Sequence, residues 1–199
     1  MHLLKYLIIF LCISLNYGCN REVVRENQPI KKDSGVSQLA KSDIDNVIDI
    51  HVNESRRLLK ELMSKLYKRN PRELKKSPYK IADENIVRLF DLKHTWDFPE
   101  LEGTHDIESI RLVFSDKYEG DRVFAFVSGL MSMIMKSYNY KSKFYIIDSV
   151  DPQKLYNCAR NIEIAIWKLS NDYDSSGKLF LISNSSSDDK IRNLSYERL

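Results

Sequence analysis

The chain has 199 residues, 43% of them hydrophobic and 30% charged, with 6 Gly, 5 Pro and 3 Cys. That length holds one domain with a core of ordinary size, and the composition excludes collagen-like and wholly disordered classes while leaning toward helix. The formal net charge of +3 gives no general case for nucleic-acid binding.

In chain order, the first predicted element is a leader. A positive n-region ending at Lys5 runs into the ten-residue apolar stretch Tyr6–Leu15. A membrane-spanning helix needs about 20 such residues, so the pattern predicts a cleaved signal peptide over residues 1–18 and export of the chain. The segment "LNYGC" (Leu15–Cys19) resembles the lipobox of bacterial lipoprotein precursors. There a small residue precedes an invariant Cys whose thiol takes a diacylglyceryl group before cleavage. Gly18 and Cys19 fit that pattern; Asn16 and Tyr17 depart from it, as in the loose lipoboxes familiar among spirochaetes. The alternative is an ordinary secretory signal cut near Gly18, with Cys19 left as a free thiol. Cleavage between Gly18 and Cys19 would make Cys19 the lipidated N-terminus, and two or more acyl chains, at about 0.8 kcal/mol per buried methylene, hold a protein firmly on a membrane. Cys12 is lost with the signal, so Cys158 is the only thiol of the folded body and an internal disulfide is not expected.

Residues 19–42, polar and carrying Pro29 and Gly35, read as the lipidated terminus and a flexible tether. A coil of that length spans about 25–30 Å, and about 80 Å when stretched. Residues 43–199 form the predicted domain. Ile44, Val47, Ile48, Val52, Leu58, Leu59, Leu62, Met63 and Leu66 recur at threes and fours and predict a helix over 43–69. Ser42 or Asp43 is its expected cap and Asn70-Pro71 its stop. A shorter helix opens at Asp83. His94–Asp106, with Pro99 and Gly103, reads as a loop that Trp96 and Phe98 anchor to the bundle, and Thr104 or Asp106 caps the following helix over Ile107–Tyr118.

Residues 121–140 are apolar on nearly every side, the mark of a helix buried at the centre of a bundle, with Ala125, Ser128, Gly129 and Ser132 allowing close approach. "KFYIID" (Lys143–Asp148) and "KLFLIS" (Lys178–Ser183) are compatible with strand or helix turn. Asp151-Pro152 opens a helix running to about Tyr173, with the stripe Leu155, Cys158, Ala159, Ile162, Ile166 and Leu169. "DDKIRNLSYERL" continues a helical pattern to the last residue. The expected fold is therefore all-α, an irregular multi-helix bundle around a central apolar helix.

No reaction chemistry stands out. His94, Asp97, Glu100, Glu102, His105 and Asp106 fall within thirteen residues, but the two His are too far apart for the tight spacing of a zinc pair, so no metal and no cofactor are expected. A metal-dependent enzyme using this loop is the least favoured alternative. Cys158 and His51 read as structural residues, and Met131, Met133 and Met135 with Phe124 and Phe126 as plain core. Lys60, Lys65, Lys68, Arg69, Arg72, Lys75 and Lys76 make a basic patch suited to heparin-like glycans or anionic lipid; Glu61 and Glu73 dilute it, and a solvated helix face is the competing reading.

The stretch "FVSGLMSMIMKSYNYKSKFYIIDSVDPQKLYNCARNIEIAIWKLSND", with "GKLFLISNS" and "NLSYERL", resembles the Borrelia virulent strain-associated lipoprotein family, well over residues 123–199 and more loosely over 44–118. The resemblance implies an all-helical, non-enzymatic lipoprotein on the bacterial outer surface; the expected partner of such a protein is a host protein or glycan, and the small net charge leaves no nucleic acid expected. Family members continue past the equivalent of "NLSYERL", so the resemblance also implies a C-terminally shortened member. The alternative is a structural lipoprotein of the envelope that faces the periplasm.

Overall fold

The computed structural model describes residues 43–141, 143–145 and 150–183. Six α-helices make up the architecture of these residues: α1 Asp43–Arg69, α2 Pro71–Lys76, α3 Ala82–Phe90, α4 Asp106–Val113, α5 Arg122–Ser137 and α6 Pro152–Asn171, with one 3-10 turn at Pro99–Leu101. The domain is all-α, and its core is built around α5.

α1 has the bounds its periodicity predicts. Val52, Leu59, Leu62, Met63 and Leu66 are buried, whereas Val47 at the outer edge of the stripe is half exposed. The cap at Ser42 or Asp43 and the side chain of Ile44 lie outside the described residues. Asn70 ends the helix. Its amide donates to Leu66 O at 2.8 Å and its Nδ2 to the same carbonyl at 2.9 Å, which satisfies an oxygen the helix leaves open. Pro71 then stops α1 but does not stop helical structure. Its fixed φ and missing N–H suit the first position of a new helix, α2.

α3 begins one residue before the predicted Asp83, and no side chain caps it from Ile81. Asn85, buried inside the first turn, instead fastens the segment that leads into the helix. Its Nδ2 donates to Tyr79 O at 2.8 Å and Ile81 O at 3.2 Å, and its Oδ1 accepts from Ser77 Oγ at 2.8 Å. The expected caps of α4 are also different. Thr104 turns its hydroxyl to Leu101 O at 2.7 Å, and Asp106 enters the helix itself at a left-handed φ of 57°. Its N–H is satisfied across the bundle by Ser132 Oγ at 2.8 Å. α4 ends at Val113, short of Tyr118, because Tyr118 folds back to donate to Glu100 O at 3.0 Å.

α5 is buried on every side except at Ile134 and Lys136. Asp121 is its N-cap, Oδ1 accepting from Val123 N at 2.9 Å and Phe124 N at 3.0 Å. Gly129 lets α4 come close: a Cβ there would stand 2.8 Å from Asp106 O and 2.7 Å from Ile110 Cγ1. Phe98 packs edge-on against Phe124 with centroids 5.0 Å apart, so the 94–106 loop is pinned to the central helix as its aromatics predict.

α6 opens with Asp151 accepting from Gln153 N at 2.9 Å and Pro152 at the first position, and it ends at Asn171, before the predicted Tyr173. Cys158 and Leu169 face the core as predicted, but the exposed residue of the stripe is Ala159 and its buried partner is Ala165. At about 100° per residue Ala159 falls about 80° from the centre of the seam, too far for a methyl to reach. "KFYIID" and "KLFLIS" are not helices where described. Phe144 is buried and its N–H donates to Asp49 Oδ1 at 3.0 Å, while Ile146–Asp148 lie outside the described residues. Leu179 makes one isolated antiparallel bridge to Tyr173, and Leu181 is buried beyond it. The helical pattern over residues 188–199 lies outside the described residues.

Candidate functional site

Gly18 and Cys19 lie outside the described residues, so cleavage and lipidation are sequence readings throughout. The residues of the basic patch lie on the end of α1 and on α2, which follow each other in the chain. Lys65 and Lys68 share a face of α1's last turns, and Arg72, Lys75 and Lys76 are exposed on α2. The members differ in how free they are. Lys65 pairs with Glu61 at 2.7 Å, Lys76 with Glu73 at 2.7 Å, and Arg69 donates to Ser183 O. Lys60 leaves the group to pair with Asp91 on the α3 end at 2.6 Å. Lys68, Arg72 and Lys75 make no ion pair among the described residues.

Glu73 controls this arrangement. It is buried, and its Oε2 accepts the N–H of Arg122, the first residue of α5, at 2.9 Å. Arg122 in turn donates through Nε to Val113 O at 3.0 Å and through Nη2 to Ser115 O at 2.8 Å. Beside it Asp121 is buried, with Tyr67 donating to its Oδ2 at 2.7 Å. Burial pushes the Asp121 carboxyl up to about 6, against the pull of the Tyr67 bond and its backbone donors, with Glu73 adding to the rise. The same burial, with the Asp121 charge close by, pushes the Tyr67 phenol upward, so it stays a donor. No motif marks this four-residue cluster; the one signal in the sequence is Asp121 standing immediately before the apolar run.

The acids and imidazoles of the 94–106 loop are dispersed rather than converged. His94 donates from Nε2 to Leu89 O at 2.8 Å and accepts at Nδ1 from Trp96 N at 3.2 Å, which uses both ring nitrogens of the neutral form. Glu100 forms a two-pronged pair with Arg88, whose guanidinium lies about 5 Å from the rings of Tyr79, Phe98 and Phe124. Asp97 and Glu102 point to solvent. Asp106 accepts Lys136 at 2.7 Å. Among the described residues no group of three His, Cys, Asp or Glu side chains is placed to hold a metal ion. His51, expected to be a structural residue, is exposed on α1.

A cleft of about 230 Å³ opens between α4, α5 and α6, lined in part by Asp106, Met133, Lys136, Lys154, Cys158 and Asn161. The other predicted core residues, Phe124, Phe126, Met131 and Met135, are buried in the main core. Burial raises the Cys158 thiol; Asp106 adds to the rise and the Ser137 hydroxyl opposes it. A thiol held in its protonated form is a poor nucleophile. Among the described residues Asp106 Oδ1 is buried there without a hydrogen-bond partner, while its second oxygen is committed to Lys136.

No helix among the described residues is long and apolar enough to cross a membrane. No family model matches the chain, and no curated protein and no solved structure is significantly similar to it.

Proposed function

We propose that this chain is a non-enzymatic bacterial lipoprotein, related to the Borrelia virulent strain-associated lipoproteins, held by lipid on Cys19 at the outer membrane and exposed on the cell surface. The single observation that carries the proposal is the order of segments in residues 1–42: basic n-region, short apolar run, Gly18-Cys19, then a polar stretch. The helical domain that follows is the part available for contact with host molecules. Three carboxylates of that domain serve its structure. Asp121 caps the central helix, Glu73 holds α2 to it, and Glu100 pins the 94–106 loop through Arg88. Each is engaged in holding the fold together.

Membrane fractionation of cells making the Cys19→Ala chain tests the anchor. The wild-type chain is expected in the membrane fraction and the variant in the soluble fraction; a variant that stays with membranes overturns the lipid reading. Protease treatment of intact cells then tests the face. Cleavage is expected, and full protection would place the domain on the periplasmic side.

A further inference from the structure

Between Lys65 and Lys80 the chain holds seven basic residues and one acid, Glu73. Read as a sequence, that acid dilutes the positive charge. In the fold it is turned inward, accepting Arg122 N at 2.9 Å through Oε2 and Lys76 Nζ at 2.7 Å through Oε1. Because Glu73 ties one side of α2 to the central helix, Arg72, Lys75 and Lys76 are left on its exposed side. Lys68 on the last turn of α1 and Lys80 just beyond α2 are exposed as well. The exposed surface of this stretch is therefore more uniformly positive than its composition suggests.

The ridge has a definite place along the molecule. α1 has 27 residues and a length of about 40 Å; residues 19–42 join it at Asp43, and the ridge lies at its other end. On a surface-exposed chain these cations are open to anionic polysaccharides outside the cell.

We infer that Lys68, Arg72 and Lys75, flanked by Lys65, Lys76 and Lys80, form a docking ridge for an extracellular sulfated or carboxylated polysaccharide. The inference rests on the surface-anchored reading for which polyanion the ridge meets, and on the fold alone for the ridge itself. Lys68, Arg72 and Lys75 make no ion pair among the described residues, so each can take an anionic group without breaking one. A flexible polyanion also gains entropy by releasing a counterion at each contact, and the affinity then falls steeply with salt.

The test uses the full chain in detergent and heparin as the probe, titrated over a range of salt concentrations. The wild-type chain is expected to bind with a steep salt dependence. Replacing Lys68→Gln, Arg72→Gln and Lys75→Gln together should lower the slope of log affinity against log salt by about 2, at about 0.7–0.9 per lost contact. A chain with Lys93→Gln, Arg111→Gln and Lys117→Gln loses the same charge from exposed positions elsewhere and should bind as wild type. Should the triple ridge variant lose its helical circular dichroism, Lys68→Gln and Lys75→Gln made separately should each lower the slope by a fraction of that amount. Equal binding by wild type and ridge variants, or equal loss in the control, overturns the ridge. Tighter ridge-dependent binding to duplex DNA, or to detergent micelles carrying phosphatidylglycerol over neutral ones, than to heparin overturns the polysaccharide as partner. Detergent makes the result independent of the anchor: heparin binding by a chain that does not stay with membranes would overturn the anchoring and leave the ridge in place.

Discussion

Tyr67, deep in α1, donates its phenolic proton to Asp121 Oδ2 at 2.7 Å, while the other oxygen of the same carboxylate accepts the amides of Val123 and Phe124, the second and third residues of α5. One buried side chain thus caps the central helix and joins it to the longest one. Removing the donor as Tyr67→Phe would leave that carboxylate oxygen unpaired in the core. A loss of about 1–3 kcal/mol in unfolding free energy is expected, measurable by urea denaturation; a variant as stable as wild type would mean the bond contributes nothing net.

The Asp121 carboxyl, pushed from 3.8 up to about 6, makes stability depend on pH in the direction opposite to the usual carboxylate. Between the unfolded and folded values the folded state holds more protons, so this group's contribution is fully present below about 4 and is lost as pH rises through 6. At about 1.4 kcal/mol per unit the swing is about 3 kcal/mol. Asp121→Asn keeps an acceptor for the helix amides and removes the charge. The difference in unfolding free energy between variant and wild type should therefore shift in the variant's favour from pH 4.5 to pH 7.5; a difference that is flat with pH sinks the argument.

Glu73 is the only described side chain that bonds α2 to the first amide of α5. With Glu73→Ala the buried Arg122 N–H loses its acceptor, at a cost of about 1–3 kcal/mol, and α2 loses its tie. Amide exchange over residues 71–76 should quicken more than exchange over α1. Uniform quickening across the domain would show that Glu73 serves overall stability and not the placement of α2.

At Gly129 two effects compete. Alanine in a helix interior gains about 1 kcal/mol over glycine, but here its Cβ would lie 2.8 Å from the backbone oxygen of Asp106, which cannot turn aside as a side chain can. Overpacking of this kind costs about 1–3 kcal/mol, so Gly129→Ala is expected to lower the melting temperature. A rise would mean that α4 moves away from α5 without penalty.

Cys158 should react slowly with a thiol reagent at pH 8 in the native protein and rapidly in denaturant, because burial both raises its pKa and screens it. Fast native labelling would show that the cleft beside it opens readily.

Much of the fold is legible in the chain because helices report themselves locally. The three-and-four spacing from Val52 to Leu66, the Asp151-Pro152 start of α6 and the all-round apolarity of residues 122–137 each depend on neighbours within a turn or two. The starts of α3 and α4 do not. Asn85 fastens the lead-in to its helix through Ser77 and Tyr79, and the first amide of α4 is met by Ser132 from 26 residues away. Spacing rules have no access to such partners.

The same division runs through function. By itself the sequence determines that a basic start, a short apolar run and Gly18-Cys19 stand in the order of a lipoprotein leader, because that order is read as a linear string, and that the stretch from Lys65 to Lys80 is rich in cations, because composition needs no fold. Only the tertiary structure decides which of those cations face solvent without an ion pair, since how Glu73 divides itself between Lys76 and the Arg122 amide depends on where α5 begins in space. Charge is a property of residues; a surface is a property of their packing.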